Sequence, residues 1–95
     1  MKTHYDQHEI LDVQKALAQA FLSKHLRFKV SFEQYDYTPD EIKQSVDDVL
    51  TTFMIDKFGV EWRNNEQAMW FYESTACDYR INAEADAIEL YNSMK

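Results

Sequence analysis

The sequence predicts an α+β fold: a small antiparallel or mixed sheet with three helices, in the order α-β-α-β-β-β-α. Two observations support this prediction. Apolar and polar residues alternate from Leu26 to Glu33, which is the period-2 pattern of a half-buried strand. A few residues later the segment Thr38–Glu41, with the sequence TPDE, combines a capping box with proline at the first helical position. These two patterns together indicate a strand followed by a helix.

Helical periodicity predicts two helices around this strand. The first runs from about Asp6 to Lys24, where apolar residues recur at steps of three and four. The second runs from Pro39 to about Phe58, and its apolar residues form one stripe. The only glycine, Gly59, follows as the expected C-terminal cap, which marks the end of the second helix.

The region after the second helix is less regular. Val60–Trp62 is predicted as a short strand, and the alternation in Cys77–Ile81 predicts another. Between them, Ala68–Tyr72 is a continuous apolar run, which as a strand would be apolar on both faces. A helix from Glu66 to Ala76 is the competing interpretation. The last helix is expected to begin near Asn82, a good cap residue.

The composition is that of one folded domain comprising residues 1–95. Hydrophobic residues make up 45% of the chain and aromatic residues 15%, which suffices for one modest core. The single cysteine, Cys77, cannot form an internal disulfide, as is usual in a reducing compartment. The first residues are charged, unlike a signal peptide, and no apolar run approaches the roughly 20 residues that span a bilayer. We therefore expect a soluble, cytoplasmic protein without a membrane partner.

The net charge of −7 indicates which kinds of partner the protein is expected to bind. Eight acidic residues lie between Val30 and Glu61, against two lysines. Such a surface repels phosphates, so direct nucleic-acid binding is not expected, whereas a basic or nucleic-acid-binding protein is an expected partner. A single glycine also excludes glycine-rich phosphate loops and dinucleotide fingerprints, and no cofactor is expected.

These properties favour a non-enzymatic interaction protein, an inhibitor or regulator that binds its partner through acidic and aromatic side chains. The expected partner-binding residues are Asp40, Asp47 and Asp48 on the second helix, with Trp70 and Tyr72. A strand that is apolar on both faces also needs a second cover, which is either another helix, a second copy in a homodimer or a hydrophobic partner. The size, charge and scarcity of glycine resemble those of small acidic accessory proteins, including phage-encoded inhibitors of host machinery. Such proteins can present carboxylates in place of nucleic-acid phosphates.

The alternative is a small-ligand or nucleotide-binding domain that uses a basic and aromatic face of the sheet. The residues of this face would be Arg27, Lys29, Trp62 and Arg80. Cations beside aromatic rings hold phosphorylated ligands by charge and stacking. Lysine and arginine also protect the edges of sheets from aggregation, which is the structural explanation for Arg27 and Lys29.

The sequence also contains a possible set of metal ligands and a possible nucleophile, but we expect neither function. His4, His8 and Asp12 follow one another at steps of four, and imidazole and carboxylate groups can bind zinc. Because the first and last are more than two helical turns apart, we expect a solvated helix start and no metal site. Cys77 has no histidine near it in the sequence, so it is expected to be a buried core residue and not a nucleophile.

Overall fold

The computed structural model describes residues 5–94, which form a bundle of helices. In chain order the elements are α1 (Gln7–Gln34), α2 (Pro39–Phe58), a 3₁₀ turn (Trp62–Asn64), α3 (Glu66–Phe71), a π-helical turn (Tyr72–Ala76) and α4 (Cys77–Ser93). The π-helical turn joins α3 to α4 without a break, so the bundle has three long helices. Within residues 5–94 there is no strand, and the predicted α+β fold is therefore wrong.

The strand predicted from Leu26 lies inside α1. Phe28 and Phe32 are buried, whereas Leu26 and Val30 are 51% and 58% exposed. Four apolar residues in alternation contain two pairs at i and i+4, so a helix accommodates them with one pair inward and the other outward. No glycine or proline interrupts this stretch, and α1 continues past its predicted end to Gln34.

The second helix agrees with its prediction at both ends. The backbone N–H of Glu41 donates to Thr38 Oγ1 at 3.1 Å, and the backbone N–H of Thr38 donates to Glu41 Oε1 at 3.1 Å. This is the capping box that the sequence predicts. At the other end Gly59 caps the helix with φ 95°, a backbone angle that favours glycine. The predicted helix Pro39–Phe58 is therefore confirmed. It could be predicted because all its signals lie within a few residues of its two ends.

The other two N-terminal caps are also local. Asp6 Oδ1 accepts a hydrogen bond of 2.8 Å from the backbone N–H of Glu9 and begins α1. Asn65 begins α3, where its Oδ1 accepts hydrogen bonds from the backbone N–H groups of Gln67 at 2.9 Å and Ala68 at 3.0 Å. Asn65 is buried, so water cannot replace these two hydrogen bonds.

The region from Val60 to Ser93 contains none of the three predicted strands, at Val60–Trp62, Ala68–Tyr72 and Cys77–Ile81, and no helix that starts at Asn82. The predicted strand at Val60–Trp62 is a turn that leads into the 3₁₀ segment, and the predicted strand at Cys77–Ile81 is the start of α4. Since α4 is already helical at Cys77, no helix begins near Asn82. The competing interpretation of Glu66–Ala76 as a helix is confirmed, with π-helical geometry in its second half.

The π-helical turn brings buried side chains onto one side of this helix. Ala68, Phe71 and Ala76 are all buried, and the last two are five positions apart in the sequence. In a regular α-helix, two residues five apart point about 140° away from each other. The wider π-turn closes much of this angle, so both residues face the core.

The buried residues form a single core cluster. Its members are Tyr5, Leu17, Phe21, Phe28, Phe32, Ile42, Val46, Leu50, Phe53, Met54, Phe58, Trp62, Ala68, Phe71, Ala76 and Ala87. At one end of the bundle, the ring of Phe32 lies 5.1 Å from those of both Tyr37 and Tyr91. The end of α4 therefore lies beside the turn between α1 and α2. None of the helices described is long and apolar enough to cross a membrane.

Candidate interaction surfaces

The three aspartates predicted on α2 do not form one acidic row. Asp47 faces α4, where its Oδ1 lies 3.2 Å from Arg80 Nη1. Asp48 is the next residue, about 100° further round the helix, and it lines a groove toward α1 together with Lys24. Asp40 is exposed in the first turn of α2. The acidic surface of this helix is thus divided between its two neighbours.

Arg80 holds two carboxylates. Its Nη1 lies 2.8 Å from Glu84 Oε1 in addition to its contact with Asp47, and the Glu84 side chain is only 14% exposed. Burial lowers the pKa of Arg80, but the attraction of Glu84 and Asp47 outweighs this effect and raises the pKa above its ordinary value. Its Nε is buried without a hydrogen-bond partner. Because its charge is already matched, Arg80 joins α4 to α2 and is a poor binding group for an anionic ligand.

The residues of the alternative ligand site do not converge. The predicted sheet that would carry them is absent from residues 5–94. Arg27 and Lys29 are exposed on α1, whereas Trp62 is buried in the core and Arg80 pairs with α2. The cation over the Trp62 ring is instead Arg63, at 4.3 Å from the ring centroid. The predicted basic and aromatic face therefore does not form.

The two aromatic residues predicted to bind a partner have different environments. Trp70 is 57% exposed, whereas Tyr72 is half-buried with its ring 5.1 Å from that of Trp62. Burial raises the pKa of the Tyr72 hydroxyl, as does Cys77, which is half-buried and not fully buried as predicted. The apolar run thus exposes one aromatic side chain and not two apolar faces. The observation that favoured a homodimer is thereby removed.

A groove of about 570 Å³ lies between α1 and α4. Phe28, Tyr79 and Leu90 are among its apolar lining, while Lys24 and Glu89 bring opposite charges to it from α1 and α4. Lys24 Nζ lies 4.9 Å from the centroid of the Phe28 ring. Burial, and secondly the charge of Arg27, lower the pKa of Lys24. No sequence pattern indicates this groove, because it depends on how two distant helices pack.

The turn between α1 and α2, with the helix ends beside it, carries exposed carboxylates near an exposed aromatic side chain. Glu33, Asp36, Asp40 and Glu41 are all exposed, and Lys and Arg are absent from residues 30–42. Tyr35 lies among them and is 63% exposed. We call these five residues the acidic turn. The sequence pattern does not single out Tyr35, because a strand interpretation makes it one more residue of an ending strand.

The metal candidates have no structural support in the described residues. His8 and Asp12 are exposed on α1, and His4 lies outside residues 5–94. Within that range, no group of three or more His, Cys, Asp and Glu side chains is placed to hold a metal ion.

The fold and its surfaces define the class of this protein as a small, acidic three-helix bundle. Comparison with known proteins finds no matching family model, no matching curated protein and no matching solved structure.

Proposed function

We propose that this protein is a non-enzymatic interaction protein that binds a basic, nucleic-acid-handling protein through the acidic turn. The observation that carries the proposal is the exposed ring of Tyr35 among the carboxylates of Glu33, Asp36, Asp40 and Glu41. Tyrosine is enriched among residues that dominate binding energy, since it offers a large contact area with few rotatable bonds. Carboxylates around it attract a basic surface and orient it.

The scaffold beneath the acidic turn supports this role. Tyr37 packs inward against Phe32 and Phe28, at ring distances of 5.1 and 6.3 Å. The backbone N–H of Tyr37 donates to Tyr91 Oη at 3.4 Å, which ties the turn to α4. Because the turn is packed from below, binding requires little additional ordering of the chain.

The proposed mode of action is occupation of a surface that normally binds nucleic acid. Carboxylates that are fixed on a folded scaffold can occupy positions that phosphates would otherwise take. We place this activity in the cytoplasm, because the unpaired thiol of Cys77 is compatible with a reducing compartment. The protein then acts as an inhibitor or regulator without performing chemistry itself.

The test is affinity capture from a lysate of the source organism with immobilised wild-type protein and two charge variants. Glu33→Lys/Asp40→Lys reverses two charges in the acidic turn. Glu73→Lys/Asp78→Lys makes the same change in net charge on exposed residues of the π-helical turn and α4, and it is the matched control. Circular dichroism first establishes that both variants are helical.

We expect wild type and the control variant to retain the same basic protein and the acidic-turn variant to lose it. With the purified partner, Tyr35→Ala should weaken binding by about tenfold or more, as is usual for an aromatic residue central to an interface. Capture of no specific protein, capture of an acidic partner, or equal binding by both charge variants would each refute the proposal.

A further inference from the structure

The outer face of α1 carries an unpartnered apolar stripe. Leu22, Leu26 and Val30 are 51%, 51% and 58% exposed. They lie four residues apart, so they follow one line along α1. Leu26 and Val30 point away from Phe28 and the core, whereas Leu22 also lines the edge of the groove between α1 and α4. Each side chain is large and apolar, and together they form a continuous patch and not scattered single residues.

Two exposed cations, Arg27 and Lys29, flank the middle of this stripe, while the exposed Glu33 lies three residues beyond Val30 at its end. Val13–Phe32 contains Lys15, Lys24, Arg27 and Lys29 but no Asp or Glu. This segment has a net charge of +4. Since the net charge of the whole chain is −7, the remaining residues together carry −11. At 100° per residue, Arg27 lies on one side of Leu26 and Lys29 on the other, and both are exposed.

We propose that this face of α1, defined by Leu22, Leu26, Val30, Arg27 and Lys29, binds an acidic amphipathic helix of a partner protein. Leucine-type residues of that helix would cover the stripe, and its Asp and Glu residues would pair with the flanking cations. The acid-free segment Val13–Phe32 has 20 residues, about 30 Å of helix, which is long enough to align a partner helix along it.

Charge disfavours the two competing occupants. A second copy packed stripe to stripe with its α1 parallel would place Arg27 and Lys29 near the same cations of its partner, which is unfavourable. An anionic membrane would meet only three apolar side chains on a molecule with a net charge of −7, too few for interfacial binding against that repulsion.

This surface adjoins the acidic turn, since Glu33 lies three residues after Val30, but Arg27 and Lys29 give it the opposite charge. The proposal therefore goes beyond the binding of a basic protein. With both surfaces occupied, the protein would connect a basic partner at the acidic turn with an acidic helical partner along α1.

The probe is a synthetic peptide of about three heptads with leucine at positions a and d and glutamate at positions e and g. A second peptide with lysine at e and g is its control. Titration calorimetry measures the binding of each peptide to the full-length protein, to Leu26→Asp and to Arg27→Glu/Lys29→Glu. Ile81→Asp changes a similarly exposed apolar residue on α4 and is the matched control variant.

We expect the glutamate peptide to bind wild type and Ile81→Asp equally, and the lysine peptide to bind at least about tenfold more weakly. Leu26→Asp and Arg27→Glu/Lys29→Glu should each weaken binding of the glutamate peptide by about tenfold or more. These positions are exposed, so all variants should retain the wild-type circular dichroism spectrum.

Four results would overturn the proposal. The first is no binding of the glutamate peptide, and the second is equal binding of the two peptides. The third is a wild-type dimer that Leu26→Asp dissociates, which would assign the face to a second copy. The fourth is binding to vesicles of phosphatidylserine and phosphatidylcholine that Leu26→Asp abolishes, which would assign the face to a membrane.

Discussion

Arg80 Nη1 lies 3.2 Å from Asp47 Oδ1, and this contact joins α4 to α2. The same guanidinium nitrogen lies 2.8 Å from Glu84 Oε1 on α4 itself. Two carboxylates therefore share one cation at a position where neither residue is fully exposed to water. The arrangement links the helix that follows the π-helical turn to the rest of the bundle.

Replacement of Arg80 by methionine should lower the free energy of unfolding by about 1–3 kcal/mol, because Glu84 is then left half-buried without a cation. The larger part of this loss is expected from Glu84, since Asp47 is more exposed and its charge is better screened by water. Urea denaturation measures the change.

The control for this variant is Asp56→Asn. Asp56 Oδ2 lies 3.8 Å from Lys57 Nζ, and the Asp56 side chain is 74% exposed. An ion pair this exposed contributes little, and removal of a negative charge from the last turn of α2 relieves its interaction with the helix dipole. We expect a change below about 0.5 kcal/mol. Equal losses for Arg80→Met and Asp56→Asn would show that the α2–α4 contact has no special role.

Asn65 should be more important for stability than its neighbour Asn64. Its side chain caps α3 through the backbone N–H groups of Gln67 and Ala68, and the residue is buried. We expect Asn65→Ala to cost about 1–2 kcal/mol, as is usual for loss of an N-cap side chain. Asn64→Ala, at an exposed position in the same turn, should cost less than about 0.5 kcal/mol. Thermal unfolding of the two variants in parallel would reveal the difference, and matching midpoints would contradict the capping role.

The raised pKa of Tyr72 makes the stability of the protein depend on pH in the alkaline range. Burial, and secondly Cys77, raise the pKa of its hydroxyl above the ordinary value near 10. Between that value and the raised pKa, the folded state keeps a proton that the unfolded state releases. The contribution of Tyr72 to stability is therefore complete below about pH 10 and decreases as the pH rises through the folded pKa.

Tyr72→Phe removes this titration. We expect the variant to lose less stability than wild type as the pH rises above about 10, and its absorbance titration at alkaline pH to lack one tyrosine with a raised pKa. Denaturant unfolding at a series of alkaline pH values tests the first expectation. A wild-type pH dependence in Tyr72→Phe would show that another group is responsible.

The second helix could be predicted from the sequence at both ends, because its signals lie within a few residues of each end. Thr38 and Glu41 form the capping box, and Gly59 supplies a positive φ. The continuation of α1 could not be predicted in this way. Phe28 and Phe32 would share a face in a strand and in a helix alike. The contact that Phe32 makes with Tyr91 forms only when α4 packs beside α1, and the local sequence does not show it.

The candidate surfaces could be predicted less well than the second helix, because they depend on contacts between residues that are distant in the sequence. Asp47 and Asp48 are adjacent in the chain, yet they face different helices. Only the packing of α4 against α2 shows that Asp47 forms an ion pair with Arg80. Trp62 looks like a stacking residue in the sequence but is buried in the core. The wide spacing of the buried residues Phe71 and Ala76 fits a π-helical turn, although a spacing of five residues is also compatible with a loop.

Both proposed surfaces require α1 to remain helical to Gln34, since α1 positions the acidic turn and sends Leu26 and Val30 outward. The most direct test is therefore the free energy of unfolding of Phe28→Ala and Val30→Ala, measured side by side with urea. In the helix, Phe28→Ala should cost about 3–5 kcal/mol or prevent folding, because its ring is buried.

Val30→Ala should change stability by less than about 0.5 kcal/mol or increase it, because its side chain is exposed and alanine favours the helix. In a strand the two side chains would share one face. A loss for Val30→Ala comparable to that for Phe28→Ala would show that both residues face the core, and it would contradict the continuous helix on which both surfaces depend.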